Sequence, residues 1–369
     1  MEAFAPTTTS ASLPPFTVGS DAYAGIAEVI RPFGVKALLI GGQKALAAGL
    51  GTLQAAVADK GITLIVSPFS GECTRSKAKE LADTALGMEA GVLLGMGGGK
   101  VLDTAKAAAH YAELPVITLP TIAATCAAVT ALCVMHHPES MAHDPFLFLD
   151  RPPVHAFLHT GILAASPAMY LRAGIGDSLA KYVESAFNAE SGELSYTDRL
   201  GLSIARLGYE TLLSVGIAAL GDAKAGRDSV AFRLSCQCCI VNTGLVSLLV
   251  AERLNGALAH SLFYALREHS ALSGYLHGDL VAWGCLVQLS LERKTREAQL
   301  LSKFLQEISV PVSLHEMGIP LPDPALAALL PDVLKQPDMA GLPFHVSEAA
   351  LLEAVHETES FRKFPDKEK

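Results

Sequence analysis

Three side chains in the second half of the chain have the right chemistry for one divalent-metal site. Asp177 lies in AGIGDSLAKYVES, His260 in GALAHSLFY and His277 in YLHGDLVAWG. A carboxylate oxygen and two imidazole nitrogens, with a fourth position left open, form a ligand set that is typical of a catalytic metal. The chain has 12 histidines and 37 acidic residues, so residue type alone does not select these three. A lone histidine on an apolar helix also packs as a core residue, and the assignment therefore depends on the segments around each ligand.

A glycine-rich turn upstream has the composition of a phosphate-binding loop. Residues 95–106, GMGGGKVLDTAK, follow an expected strand and begin an expected helix. Consecutive glycines allow backbone N–H groups to approach a pyrophosphate, whose charge the helix N-terminus favours. Leu94 and Val101 depart from the P-loop pattern, and Lys100 stands where a Rossmann fingerprint has its last glycine. The turn predicts dinucleotide binding, with a plain helix-entry turn as the alternative.

The composition narrows the class of protein. At 369 residues, of which 50% are hydrophobic and 18% charged, the chain can bury two cores. The net charge is −9 and no run of lysines and arginines occurs, which argues against a nucleic-acid or anionic-membrane partner. Mean hydropathy is positive, but no stretch approaches the ~18 uninterrupted apolar residues of a membrane span. Seven cysteines without a pairing pattern, and an amino-terminal segment unlike a signal peptide, indicate a cytoplasmic protein.

The first part of the chain alternates short apolar runs with helical patterns. The apolar runs at 35–42, 63–69, 91–99 and 114–120 are continuous and contain β-branched residues, as buried parallel strands do. Helical spacing of the apolar residues between them predicts right-handed crossovers and a doubly wound α/β sheet. The stretch 145–158 contains two adjacent prolines, so we place it at an edge of the sheet or in a hairpin.

The second part of the chain has a different pattern. Ser166 and Pro167 predict a helix start, with a capping hydroxyl and a proline in the first turn. Long helical patterns rich in Ala and Leu follow, almost to the end of the chain. We therefore expect a flexible lead-in at 1–14, a dinucleotide-binding α/β domain at 15–162 and an all-helical, metal-binding catalytic domain at 163–369.

Five segments resemble those of a known enzyme family, in the same order. They are GGECT (71–75), GMGGGKVLDTAK (95–106), LPTIAATCAAVTAL (119–132), AGIGDSLAKYVE (173–184) and the HGD segment (277–279). They are similar to the glycerol dehydrogenase branch of the iron-containing (group III) alcohol dehydrogenases. Within that branch, TCAAVT and the closing ESF are more similar to the hydroxycarboxylate dehydrogenase A type. The resemblance implies the dehydroquinate synthase-like architecture of that family, an α/β nucleotide-binding domain followed by an all-α domain.

The resemblance also implies roles for individual residues. The family's metal ligands correspond to Asp177, His260 and His277. Its cofactor site corresponds to two sets of positions, one in the glycine-rich turn and its helix and one in the loop and strand that follow: Gly97, Gly98, Gly99, Lys100 and Asp103, then Thr121, Ala124, Thr130, Leu132 and His136. Asp103 is expected near the nicotinamide amide. His136 stands where glycerol dehydrogenases often have a tyrosine.

Departures from the family's pattern bear on the substrate and the cofactor. Cys126 stands where glycerol dehydrogenases carry a substrate-contacting aspartate, and Phe263 where the family has an additional histidine. Cys126 is either packing or part of a pocket that accepts a carboxylate, since the loss of a negative charge suits an anionic substrate. Gly42 ends the first strand, and Gln43 and Lys44 follow it with no acid to bind a ribose 2′-hydroxyl. Lys44 is either a solvated lysine or a partner for a 2′-phosphate, which favours NADP over NAD.

Together these features predict an NAD(P)-dependent oxidoreductase acting on CH–OH donors. The expected reaction transfers a hydride between NADP(H) or NAD(H) and a small 2-oxo acid or 2-hydroxycarboxylate, with a metal as Lewis acid. Zn²⁺ suits the ligand set best, and Fe²⁺, Mn²⁺ and Ni²⁺ are compatible with it. The alternatives are a glycerol-type polyol dehydrogenase that uses NAD and a dehydroquinate-synthase-like lyase. We expect a small-molecule substrate and a homo-oligomer, with no nucleic acid or membrane as partner.

Overall fold

The structure, a computed structural model, describes residues 12–137, 143–267 and 269–362. Residues 1–11 of the predicted lead-in lie outside these ranges. The strands are β1 Phe16–Gly19, β2 Lys36–Gly42, β3 Thr63–Phe69, β4 Val92–Gly97, β5 Val116–Pro120, β6 Leu132–His136, β7 His143–Phe148 and β8 His155–His159. The α-helices are α1 Ile26–Ile30, α2 Gln43–Val57, α3 Arg75–Gly87, α4 Gly99–Ala112, α5 Thr160–Ala165, α6 Ala168–Asn188, α7 Tyr196–Lys224, α8 Val230–Gln237, α9 Thr243–Leu249, α10 Leu258–Leu266, α11 His277–Leu291, α12 Thr295–Glu307, α13 Pro324–Val333 and α14 Glu348–Thr358.

Six strands form one parallel sheet in the order β1-β8-β5-β4-β2-β3. The four apolar runs predicted as parallel strands are β2, β3, β4 and β5, which confirms the doubly wound α/β fold. From β2 the chain goes outward to β3 and then returns to the other side of β2 to form β4. The carboxyl ends of β2 and β4 therefore flank the point where the strand order reverses. Doubly wound sheets bind their ligands in the crevice at such a point.

The prediction for residues 145–158 is wrong for its second half. The first half belongs to β7, which pairs antiparallel with β6 in a separate two-stranded sheet. The second half forms β8, which lies inside the main sheet between β1 and β5. Pro152 and Pro153 precede β8, so the missing N–H groups interrupt no ladder in that strand. Phe157 and Leu158 are buried, as expected for an internal strand.

After β8 the described residues form only helices and their connections, α5 to α14. The predicted helix start near residue 166 agrees with α6, which begins at Ala168, but the predicted cap is wrong. Ser166 Oγ donates a hydrogen bond to the carbonyl oxygen of Leu163, and α6 begins at Ala168 without a side-chain cap. Ser166 therefore ends α5, and Pro167 occupies the N-cap position of α6.

One hydrophobic cluster joins the sheet to the helices. Leu102 of α4 and Val129 of the loop after β5 belong to the same cluster as Ile175 of α6 and Leu286 of α11. The glycine-rich turn and the helix that carries Asp177 are thus held by a shared core. The predicted domain boundary at 162/163 falls within α5 and stays a prediction.

Two helical stretches, Tyr196–Lys224 and Val230–Leu249, are long and apolar enough to cross a membrane by length and composition alone. Core helices of soluble proteins meet the same criterion. The first stretch, α7, packs against α6, α8 and α9. The buried positions of α7 include Gly201, Ala205 and Gly208, whose small size allows close packing.

Candidate active site

The structure brings Asp177, His260 and His277 together. Asp177 Oδ1 lies 3.3 Å from His277 Nε2 and 3.5 Å from His260 Nε2. One ligand atom of each residue lies within 4.8 Å of the others. Ligands of a tetrahedral metal at ~2.1 Å would be separated by about 3.4 Å, so the two O–N distances fit such a site. Asp177 and His260 are buried and His277 is partly exposed, so the cluster reaches solvent on the side of His277.

The close approach of two helices places Asp177 beside His277. A Cβ atom on Gly278 would lie 1.8 Å from the backbone oxygen of Ala173. A Cβ atom on Gly176 would lie 2.3 Å from the backbone oxygen of Gly278. Side chains do not tolerate such distances, so glycine at both positions lets α6 and the start of α11 touch through their backbones. The ligands are the residues next to these glycines along the chain.

An ion pair holds the same two helices. Arg172 Nε donates to Asp279 Oδ1 at 2.9 Å, and its second nitrogen donates to Oδ2 at 2.7 Å. Asp279 is fully buried and also accepts from the backbone N–H of Leu276. Bidentate pairs of this kind restrict orientation as well as distance. His277 is the first residue of α11, so this pair fixes the position of that ligand. Neither residue of the pair was predicted from the sequence.

Glu184 orients the second histidine and was also missed from the sequence. Its Oε2 lies 2.5 Å from His260 Nδ1, and its Oε1 accepts from the backbone N–H groups of Ala257 and His260. With Nδ1 donating to Glu184, a neutral His260 would offer its Nε2 lone pair to a bound metal. Glu184 follows Asp177 by seven residues, two helical turns, in the segment AGIGDSLAKYVE. That spacing was the available signal, because it places both carboxylates on one face of α6.

The cluster has an excess of negative charge. Burial raises the pKa of Asp177, but hydrogen bonds from His260 and His277 outweigh burial and hold that pKa well below its usual range. Burial lowers the pKa of His260, but Glu184 and Asp177 raise it to about 10. Two buried carboxylates thus face two imidazoles, and a positive charge between them is favoured. A divalent cation would supply that charge, so the residues present fit a metal.

The glycine-rich turn lies at the carboxyl end of β4, at the point where the strand order reverses. Gly98 precedes α4, and Gly97 accepts a hydrogen bond from the backbone N–H of Thr121 at 3.1 Å. A Cβ atom on Gly98 would lie 2.7 Å from Ile122 Cδ1, so the loop after β5 lies directly on the turn. The start of α4 therefore lies close to the loop that carries Thr121 and Ala124.

Gly99 and Ala124 link the turn to the candidate metal centre. A Cβ atom on Gly99 would lie 3.2 Å from Thr125 Oγ1, on one side of the loop. On the other side, a Cβ atom on Gly174 of α6 would lie 3.1 Å from Ala124 Cα. Residues 121–125 thus separate the turn from the helix of Asp177 by the thickness of one loop.

A fully buried lysine connects three of the predicted cofactor residues. Lys106 Nζ lies 2.9 Å from Asp103 Oδ1 and donates to the carbonyl oxygens of Leu132 at 2.6 Å and Thr130 at 3.2 Å. Asp103 Oδ2 also accepts from the backbone N–H of Val134. Asp103, Thr130 and Leu132 are therefore brought together, and here Asp103 contacts protein groups of this network. A contact with the nicotinamide amide stays a prediction.

Lys100 and His136 lie on the same side of the turn. The ammonium of Lys100 pairs with Glu72 Oε1. Burial lowers the pKa of His136, while the charge of Glu72 raises it and that of Lys100 lowers it. The backbone N–H of His136 donates to the carbonyl oxygen of Cys73, the residue after Glu72. The segment 71–75 therefore lies between the turn and the end of β6.

Lys44 lies where the sequence predicted a cofactor-selecting residue. Gly42 ends β2 and precedes α2, and Lys44 is exposed in the first turn of that helix. In the ranges 12–137, 143–267 and 269–362, Lys44 pairs with no carboxylate. Its charge is thus available at the crevice between β2 and β4.

Cys126 and Phe263 border the metal cluster. The ring of Phe263 meets that of His277 edge to face, with centroids 4.3 Å apart. Burial raises the pKa of the Cys126 thiol to about 11, the charge of Lys181 lowers it and that of Asp177 raises it. The thiol is therefore neutral near neutral pH, and it lies within electrostatic range of the cluster.

Comparisons with known proteins agree with this architecture. The family described as iron-containing alcohol dehydrogenase matches residues 14–159. A glycerol dehydrogenase from Escherichia coli O6:H1 is 32% identical over 306 residues, 82% of each chain. Hydroxycarboxylate dehydrogenase A from Escherichia coli K12 is 34% identical over 285 residues, 77% of this chain and 78% of that one. The crystal structure of glycerol dehydrogenase from Schizosaccharomyces pombe has a TM-score of 0.86 at 24% identity and covers 96% of this chain and 91% of its own. The prediction from the five ordered segments is confirmed, and the chain belongs to the iron-containing alcohol dehydrogenase family of oxidoreductases.

Proposed function

We propose that this enzyme interconverts small 2-oxo acids and 2-hydroxycarboxylates, with NADP(H) as the preferred nicotinamide. Membership of the family implies NAD(H) and a divalent metal. The observation that carries the substrate proposal is Cys126, a half-buried neutral thiol within electrostatic range of the metal cluster. A carboxylate at this position would repel an acidic substrate, whereas a thiol does not.

The described residues account for most of the required roles. When bound, a divalent metal would polarise the substrate carbonyl and a nicotinamide would supply the hydride. Asp177, His260 and His277 would hold the metal, for which Zn²⁺ suits the ligand set best. Glu184 keeps the Nε2 atom of His260 directed at the cluster. The backbone N–H groups at the start of α4 would bind the pyrophosphate of the cofactor.

The preference for NADP(H) rests on Lys44. A dinucleotide fold that selects NAD usually places an acid at the ribose 2′-hydroxyl, and no acid follows Gly42. The exposed ammonium of Lys44 instead suits a 2′-phosphate at the same end of β2.

A glycerol-type polyol dehydrogenase is the second candidate. It is favoured by relatives with that name, such as the one from Escherichia coli O6:H1 that covers 82% of this chain. Membership of an alcohol dehydrogenase family removes the support for the lyase alternative.

A substrate screen distinguishes the two candidates. The protein is loaded in turn with Zn²⁺, Fe²⁺, Mn²⁺ and Ni²⁺ and assayed with both nicotinamides. Pyruvate and 2-oxobutanoate are compared with dihydroxyacetone, and the reverse reaction is compared with glycerol. We expect kcat/KM for a 2-oxo acid to exceed that for dihydroxyacetone by at least about 10-fold. A preference of that size for dihydroxyacetone and glycerol would establish the polyol function instead.

A further inference from the structure

A cationic side chain, Lys181, lies close to the candidate metal centre. Lys181 is on α6, four residues after Asp177, so the two side chains leave the same face of the helix. It is half-buried, and its Nζ donates to the carbonyl oxygen of Asn255 at 3.0 Å. Among the residues that the structure describes, Lys181 forms no ion pair with a carboxylate.

The surroundings of Lys181 connect it to Cys126. Lys181 and Ser178 line a small recess between α6, α7 and α9 together with Thr243. Thr243 Oγ1 donates to Ser178 Oγ at 3.0 Å, which holds α9 against α6 beside Asp177. At the next residue of α9, a Cβ atom on Gly244 would lie 3.7 Å from Cys126 Cβ. Cys126 therefore lies against the same helix that borders Lys181.

The charged side chains near Lys181 act on it from a distance and form no direct ion pair with it in the part of the chain that the structure describes. Besides burial, the Cys126 thiol is affected by the positive charge of Lys181 and the negative charge of Asp177. Asp338 also lies within electrostatic range of Lys181 without forming an ion pair with it. An ammonium has three N–H donors, and Asn255 accepts from one of them. A half-buried charge with donors to spare is suited to an anion.

We propose that Lys181 binds the carboxylate of the substrate and thereby selects 2-oxo acids over neutral hydroxyketones. The inference rests on the proposed function. The carboxylate of a 2-oxo acid is attached to the carbonyl carbon itself, so a carbonyl oxygen directed at the metal cluster brings the carboxylate close to it. The Cys126 thiol adds no negative charge that would repel this carboxylate, and Lys181 attracts it. Lys181 orients the substrate in this role and takes no part in bond making.

Lys181 also has a structural role, because Asn255 lies shortly before the helix that carries His260. The test variants separate the two roles. Lys181→Gln removes the charge but keeps an N–H donor for the Asn255 carbonyl, and Lys181→Arg keeps the charge. Lys181→Met, which retains most of the aliphatic stem, is a second neutral variant. Lys303→Gln, at an exposed lysine of α12, is the matched control.

Binding is measured without turnover, by calorimetry on the metal-loaded protein. The ligands are oxamate, an unreactive analogue of a 2-oxo acid, and its neutral ester ethyl oxamate. We expect both neutral variants to weaken oxamate binding by about 10-fold or more, and ethyl oxamate binding by less than about 3-fold. KM for 2-oxobutanoate should rise in parallel while kcat changes little. Lys181→Arg should retain oxamate binding within about 3-fold, since it keeps a charged donor.

Each other outcome overturns the inference in a distinguishable way. If the neutral variants weaken the binding of oxamate and of ethyl oxamate equally, or weaken the binding of neither, Lys181 serves only to hold Asn255. The proposed function still stands in that case, as long as the wild type reduces 2-oxo acids. If the wild type reduces dihydroxyacetone, reduces no 2-oxo acid and does not bind oxamate, the proposed function fails and the inference fails with it.

Discussion

Glu184 accepts hydrogen bonds from three groups at the start of α10, and the shortest joins its Oε2 to Nδ1 of His260 at 2.5 Å. The other two come from the backbone N–H groups of Ala257 and His260. A single buried carboxylate on α6 thus fixes the backbone, the ring orientation and the tautomer of a ligand on another helix. In metal sites such partners raise the basicity of the histidine they hold.

Glu184→Gln should therefore weaken metal binding while leaving the three ligands in place. The amide keeps the size of the side chain but loses the charge, so we expect metal affinity to fall by roughly 10- to 100-fold. Competition with a chromogenic chelator measures this affinity. Glu193→Gln, at an exposed acid beyond the end of α6, is the control and should not change it. An unchanged metal affinity in Glu184→Gln would show that Glu184 only holds the backbone at the start of α10 and does not affect the ligand.

His277→Ala should abolish metal binding and turnover. The side chain is partly exposed, so the fold should tolerate its removal within about 1 kcal/mol. Metal content after dialysis, activity and a thermal melt are measured on the same preparation. His315→Ala removes an exposed histidine elsewhere and should behave as the wild type. Full metal occupancy in His277→Ala would remove this residue from the ligand set.

Lys44→Asp should change the cofactor preference from NADPH towards NADH. A carboxylate at the end of β2 repels a 2′-phosphate and accepts a hydrogen bond from a ribose hydroxyl. The ratio of kcat/KM for the two cofactors should move by about 10-fold or more towards NADH, since a charge contact of this kind is worth about 1.5–3 kcal/mol. Lys60→Asp, at another exposed lysine, tests for a general charge effect. If the wild type uses both cofactors equally and Lys44→Asp leaves that ratio unchanged, Lys44 is a solvated lysine that does not select the cofactor.

Cys126→Asp should weaken reduction of 2-oxo acids much more than reduction of dihydroxyacetone. A unit charge about 4 Å from the substrate carboxylate is worth ~4 kcal/mol at an effective dielectric constant of about 20, before screening. Because burial raises the pKa of the thiol to about 11, the native side chain carries no charge across the range of the assay. Cys126→Ser, which is also neutral, controls for the change in packing. A proportional loss of both activities would identify Cys126 as packing and restore the polyol function.

Gly278→Ala should destabilise the fold and disrupt the metal site together. The added Cβ atom would lie 1.8 Å from the backbone oxygen of Ala173, and neither group can move without separating α6 from α11. We expect a loss of about 3 kcal/mol or more in the free energy of unfolding. Gly274→Ala is the matched control, because its Cβ would meet no atom within 4 Å. Chemical denaturation measures the free energy of unfolding of the two variants. Equal values for Gly278→Ala and Gly274→Ala would contradict the close contact between α6 and α11.

The sequence by itself determined the family, four of the six strands of the main sheet and the three candidate ligands. Strands such as β2 and β4 are predictable because a continuous apolar run flanked by helical patterns is a local property. The ligands are predictable because each lies in a characteristic segment. The proline pair before β8 misled the assignment, since proline restricts its own position but does not determine where a strand inserts in the sheet.

Only the tertiary structure showed the groups that support those ligands. Glu184 contacts a histidine 76 positions away, and Arg172 contacts an aspartate 107 positions away. The seven-residue spacing places Glu184 on the same face of α6 as Asp177 but does not identify its histidine partner, and nothing local distinguishes Arg172 from other charged side chains on helices. Lys181 is a further example, because its proposed role depends on the nearby Cys126 and on the lack of a direct ion pair with a carboxylate among the described residues. Such roles arise from burial and from charges on other helices, which are properties of the packed chain, and a one-dimensional pattern does not contain them.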